Sequence, residues 1–252
     1  MLSIRQTVLS ASICSMINAR YQIRRLSQKS CASPQPTEVI LSDTPSLIQA
    51  KQLTCIREDR VLFEHLSFAI KPGEIVQIAG PNGAGKTSLL RILAGLSMPF
   101  EGDIYYKNQS IHQQSEYYFQ DLLYLGHMPG VKGELSAHEN LAFNLALHGE
   151  DAALAEETLS NVNLLGFEDC YASHLSAGQH RRIALARLWQ NNAKVWILDE
   201  PFTAIDKQGV AALEALFVEH AKRGGCVILT THQDLAIDPA LVKTIELSYR
   251  LY

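Results

Sequence analysis

Gly80-Pro81-Asn82-Gly83-Ala84-Gly85-Lys86-Thr87 sets three glycines, a lysine and a hydroxyl in a GxxxxGKT spacing, a combination suited to gripping a chain of phosphates. Glycine lets the backbone curl so that successive N–H groups converge on phosphate oxygens, and a following helix adds the partial positive charge of its N-terminus. Lys86 is then placed to reach the β- and γ-phosphates and the Thr87 hydroxyl to ligate Mg²⁺, with Ser88 next along the opening turn. The flanking sequence supplies the elements that this loop needs. Ile75, Val76, Ile78 and Ala79 read as a buried strand, and Ser88-Leu89-Leu90-Arg91-Ile92-Leu93-Ala94 reads as a helix stopped by Gly95. A nucleoside triphosphate site is the expectation.

Three further segments carry chemistry-bearing residues at the ends of elements. Lys194-Val195-Trp196-Ile197-Leu198-Asp199-Glu200-Pro201 is a short apolar run ending in two carboxylates, and Cys226-Val227-Ile228-Leu229-Thr230-Thr231-His232 is another ending in a histidine. Leu175-Ser176-Ala177-Gly178-Gln179 opens a helical run, His180 to Arg187. Singly, each has an ordinary reading: a Ser-Ala-Gly helix cap, an Asp-Glu cap after a strand, a loop histidine. Ligands gather at the carboxyl ends of buried parallel strands, however, so Asp199 and Glu200 are expected beside the phosphate loop.

Together, and in this order from Gly80 to His232, the segments resemble the ATP-binding cassette (ABC) ATPases. Leu175, Ser176, Ala177, Gly178 and Gln179 resemble the LSGGQ signature, Asp199 and Glu200 the Walker B aspartate and catalytic glutamate, Thr203-Ala204-Ile205-Asp206 the D-loop, and His232 the H-loop switch. The resemblance implies that Asp199 and Thr87 hold Mg²⁺, that Glu200 orients and deprotonates the attacking water, and that Lys86 and His232 contact the γ-phosphate. It implies an α/β fold: a P-loop nucleotide-binding domain with a RecA-like core, an antiparallel β subdomain and a helical subdomain carrying the signature. It also implies that two copies sandwich ATP head to tail, the signature and Asp206 of each facing the phosphate loop of the other.

Two departures from the wider family stand out. His127, after Leu122-Leu123-Tyr124-Leu125-Gly126, occupies the usual Q-loop glutamine position, and Arg57 falls where an aromatic residue usually stacks on adenine. A guanidinium plane also stacks on a base. With Leu125 to Lys132, Leu185 to Trp189, Trp196 to Asp206 and Ile228 to Gln233, these departures resemble a narrower branch, the CcmA-type ATPases of the cytochrome c maturation (haem export) system. That resemblance implies a peripheral subunit on the cytoplasmic side of a bacterial inner membrane, paired with the membrane protein CcmB and working with CcmC, CcmD and the haem chaperone CcmE. The alternatives are the ATPase of another short ABC exporter, or a soluble ABC protein of translation or repair.

Composition sets the outer limits. The chain has 252 residues, 47% of them hydrophobic, enough for one domain with a sizeable core, expected over 47–252 with the helical subdomain at about 133–185. No apolar run approaches the length of a membrane span. The five cysteines have neither metal-ligand nor redox spacing, and no Cys-x-x-Cys-His is present, so haem binding by this chain is not expected. Residues 1–37 carry five basic side chains, seven serines and no acid; the whole chain at −4 therefore contains a +5 leader and leaves −9 for the rest. That acidic remainder argues against nucleic acid as a partner. The basic stretch 1–46 reads as a disordered extension and linker or an artefact of an upstream start, with a mitochondrial transit peptide, and hence the matrix side of the mitochondrial inner membrane, as the alternative. Ser136-Ala137-His138-Glu139 has the spacing of a capping box, opening a helix with Leu141, Leu145 and His148 on one side.

Overall fold

The computed structural model describes residues 46–113 and 115–248; the expected leader over 1–46 lies outside them apart from Ser46. A parallel sheet forms the centre, in the order β6 (Leu122–Leu125), β7 (Val195–Asp199), β8 (Cys226–Thr230), β3 (Ile75–Ala79) and β9 (Val242–Glu246). Strands β7 and β8 are buried at every position, as parallel strands covered on both faces must be. Alternation along them sorts side chains between two cores. Val195, Ile197, Cys226 and Ile228 face the core that also holds Leu89, Leu90 and Leu93 of helix α1 (Lys86–Leu93). Trp196, Leu198, Val227 and Leu229 face Leu213 and Phe217 of a long helix, Lys207–Lys222.

The first core is closed from the far side by an antiparallel sheet. Strands β1 (Ile48–Arg57), β2 (Arg60–Ile70), β4 (Glu101–Tyr106) and β5 (Gln109–Ser110) stand in the order β2-β1-β4-β5. Glu58 and Asp59, at φ 48° and 61°, make the two-residue turn between β1 and β2, and that turn delivers Arg57 and Glu58 to the ligand side. Helix α1 begins one residue later than Gly85 and ends in a Schellman motif: Leu96 N–H donates to Arg91 O at 2.9 Å and Gly95 N–H to Ile92 O at 3.0 Å, with Gly95 at φ 69°. The helix expected from Ser88 thus starts at Lys86, inside the loop motif.

Helix α2 (Ser115–Gln120) leads into β6, and between β6 and β7 the chain runs through helices α3 (Ala137–Leu147), α4 (Ala155–Asn161, entered through a 3-10 turn) and α5 (Ala177–Ala186), then returns through β7 to the long helix α6 (Lys207–Lys222). Helices α3 to α5 share an apolar cluster of their own, with Leu141, Leu145, Leu159, Leu164 and Ile183. The capping box at α3 forms as the spacing predicts, Ser136 Oγ accepting the Glu139 N–H at 3.1 Å and Glu139 Oε2 accepting the Ser136 N–H at 2.8 Å. His148, expected beside Leu141 and Leu145, is instead the exposed C-cap of α3, because the helix ends before its next inward turn.

Candidate functional site

The α/β expectation holds, and the parallel sheet explains why distant residues meet. The carboxyl ends of β6, β7, β8 and β3 lead directly into His127, Glu200, His232 and the glycine loop. These residues line one cleft of about 480 Å³ with Arg57, Asn82, Gly83, Gly85, Lys86, Thr87, Ser88 and Asp199. Ala84 is buried in the first core and anchors the loop rather than lining the cleft. A Cβ on Gly80, at φ 138°, would lie 2.4 Å from Leu247 O, so only glycine passes there. Gly85 caps α1 in the left-handed region at φ 101° with no side chain across the helix start, leaving the first amides of α1 to an anion. Lys86 Nζ donates to Gly80 O at 2.7 Å and reaches Pro81 O at 3.4 Å, folded across its own loop.

At the end of β7, Asp199 is 3% exposed. Its Oδ1 accepts the Thr230 hydroxyl at 2.8 Å, while its buried Oδ2 has no partner. A buried carboxylate oxygen with an unmet acceptor costs free energy unless a cation or water meets it, and Asp199 and Thr87 line the same cleft. Glu200 has φ 52°, a strained conformation for a residue with a Cβ. Its N–H donates to Thr230 Oγ1 at 2.9 Å, and its Oε1 lies 3.5 Å from His232 Nε2.

The signature residues Leu175 to Gln179 and the D-loop Asp206 are not in this cleft. Ser176 caps α5 in a second capping box, its Oγ accepting the Gln179 N–H at 3.2 Å and Gln179 Oε1 accepting the Ser176 N–H at 2.8 Å. The Ala177 and Gly178 amides that follow belong to the first helical turn, which has no intrahelical acceptors. A Cβ on Gly178 would sit 3.1 Å from Ala204 O, so signature and D-loop are close neighbours within one chain. Asp206 caps α6 through Gly209 N–H and pairs with Arg182 Nη2 at 2.6 Å; the Gly209 bond first and then Arg182 hold its carboxyl below the usual range.

Four participants escaped sequence reasoning. Glu58 and Leu62 line the cleft beside Arg57. Thr230 bridges Asp199 and Glu200, and Arg181 is buried with Nη1 donating to Gly126 O at 2.8 Å and Nη2 to Asp199 O at 2.7 Å and Glu200 O at 2.9 Å. Burial lowers the guanidinium's proton affinity, against the opposing fields of Asp199 and Glu200. Among the described residues no helix is long and apolar enough to cross a membrane.

Comparison with known proteins agrees with this geometry. The ABC transporter family matches residues 63–203. The cytochrome c biogenesis ATP-binding export protein CcmA of Colwellia psychrerythraea is 64% identical over 209 residues, 82% of this chain and 95% of that protein. The protein of the same name from Shewanella oneidensis is 62% identical over 216 residues, 85% and 99% of the two chains. Among solved structures, a dimeric bacterial ABC transporter cassette superposes with TM-score 0.70 at 26% identity over 80% of this chain and 94% of its own. The same cassette in a post-hydrolysis state, bound to ADP and phosphate, matches with TM-score 0.64, again at 26% identity, over 74% and 88%. With the family's fold and an identity of 64% to a named relative, this chain belongs to the CcmA family of ABC transporter ATP-binding proteins.

Proposed function

We propose that this chain is the ATP-hydrolysing subunit of an ABC complex for cytochrome c maturation, with ATP driving release of the haem-loaded chaperone in a haem export system. The observation that carries the reading is the single cleft that joins the glycine loop to Asp199, Glu200, His127 and His232. The loop amides between Gly80 and Ser88, apart from Pro81, which has no N–H, cradle the phosphates, and Lys86 leaves Gly80 O to take the β- and γ-phosphates. Arg57 stacks on the base. Glu200 draws the proton from the attacking water, and His232, 3.5 Å from it, hydrogen-bonds the γ-phosphate and registers its loss. Asp199, through its unpartnered Oδ2, and Thr87 would hold Mg²⁺, which when bound neutralises charge on the phosphates. His127 stands where the family's glutamine contacts the ion and the water, and links the site to the membrane subunit.

The signature lies outside the cleft of its own chain, which supports a head-to-tail dimer in which Leu175, Ser176, Ala177, Gly178, Gln179 and Asp206 complete the partner's site. The working unit is then residues 47–252, two copies of which sit on CcmB with CcmC, CcmD and CcmE, peripheral to the cytoplasmic face of a bacterial inner membrane. The deciding experiment is c-type cytochrome assembly in a bacterial host lacking its own CcmA, supplied with the homologous CcmB. Rescue by the wild type and not by Glu200→Gln is expected. Failure of an expressed, ATP-hydrolysing wild type would transfer the chain to another short exporter.

A further inference from the structure

The turn that bears the two carboxylates is tied to the signature helix through one buried cation. Arg181 stands five residues beyond the Ser176 cap on α5, on the order of 7 Å along the helix axis. Its guanidinium spans three backbone carbonyls: Gly126 O, which belongs to the peptide bond entering His127, and the consecutive Asp199 O and Glu200 O. Only the planar fork of arginine, with several donors in fixed directions, can serve three acceptors in this way. The cation is 5% exposed, and its Nε has no partner.

Burying a full charge against carbonyl dipoles is costly, and a neutral amide would hold one of these carbonyls with far less desolvation. The charge is therefore matched to something more than packing. Glu200 has φ 52°, and such a conformation at a residue with a Cβ persists where the surroundings hold the backbone on both sides. Its N–H is fixed by Thr230, and its carbonyl by Arg181 with a weaker contribution from Thr203 N–H at 3.2 Å. Arg181 thus fixes one side of the Glu200 backbone and the approach to His127 from the same helix whose first turn is the signature.

We propose that Arg181 is a positioning residue: it converts the seating of the signature on the partner's nucleotide into the placement of Glu200 and His127 in its own chain. Hydrolysis at one half-site then depends on closure of the other. This rests on Glu200 acting as the base within the head-to-tail dimer.

The test uses the full chain assembled with its membrane subunit, comparing wild type, Arg181→Gln, Arg181→Lys and Glu200→Gln for kcat, KM for ATP, the Hill coefficient in ATP and melting temperature. Arg181→Gln is expected to lose on the order of 100-fold in kcat while KM and melting temperature stay near wild type and the Hill coefficient falls toward one. Arg181→Lys is expected to recover part of the rate, since an ammonium reaches one or two of the carbonyls. A folded Arg181→Gln with normal kcat and Hill coefficient would overturn the role. So would parallel losses in kcat, KM and melting temperature in both Arg181 variants, which mark a purely structural tie. Normal hydrolysis by Glu200→Gln would remove the base assignment and the proposal with it, whereas an inactive Glu200→Gln beside a normal Arg181→Gln removes the Arg181 role alone.

Discussion

At the carboxyl end of β7, one hydroxyl serves two acidic residues, because Thr230 Oγ1 donates to Asp199 Oδ1 and accepts the Glu200 N–H. Thr230→Val keeps the shape and leaves both groups unmet. It is expected to lower unfolding free energy by about 1–3 kcal/mol in urea titrations and to reduce kcat, while Thr230→Ser retains both. Glu200→Gln is expected to bind ATP, lose about 10²–10⁴-fold in hydrolysis, and elute as a closed dimer when ATP is present. Lys86, Asp199, Glu200 and His232 were legible because each sits at a fixed place relative to a glycine loop or a strand end. Thr230 was not, since a threonine inside an apolar run reads as a β-former and its partner Asp199 lies 31 residues away. Arg181 hid for a similar reason: an arginine in a polar helical turn reads as a solvated side chain until its three carbonyls are seen.

Two helices of this protein start with the same device, which gives a controlled comparison between elements. Ser136 and Ser176 each close a capping box with the residue three positions on. Replacing either by alanine is expected to cost about 1 kcal/mol of stability. Ser136→Ala should leave ATP turnover intact, whereas Ser176→Ala should also slow it, because in the proposed head-to-tail dimer only that cap meets the partner's nucleotide; paired urea melts and ATPase assays separate the two effects. At this scale β3, β7, β8 and α1 were readable from their apolar runs, whereas β9, whose Val242–Glu246 carries Lys243, Thr244 and Glu246, was not. The antiparallel sheet was expected only through family resemblance. Its strand β1 carries register irregularities between Ala50 and Leu53 and again before Cys55, so the alternation that marks an amphipathic strand is broken in the sequence itself.

Over the whole molecule, the layers are locked by pairs that no motif announces. His220 of α6 stacks on Trp196 of β7 with ring centroids 3.8 Å apart and planes 9° from parallel. Burial chiefly pushes its pKa down to about 4. The unfolded chain then takes up a proton that the folded one refuses, so stability is complete above the ordinary histidine pKa and is lost as pH falls toward 4. A loss of about 2 kcal/mol between pH 7.5 and pH 5 is expected from urea midpoints, and His220→Phe, which keeps the stacking, should flatten that slope. The sheet order carries one more consequence. Strand β3, which ends in the glycine loop, is flanked by β8 and β9, so its neighbours in the sheet come from segments made well after it. A nascent chain emerging from the ribosome holds the phosphate-gripping residues without a cleft to put them in. Contacts between such distant segments form late. The order of synthesis therefore sets the order of assembly: the glycine loop is made first and waits for the strands that flank it.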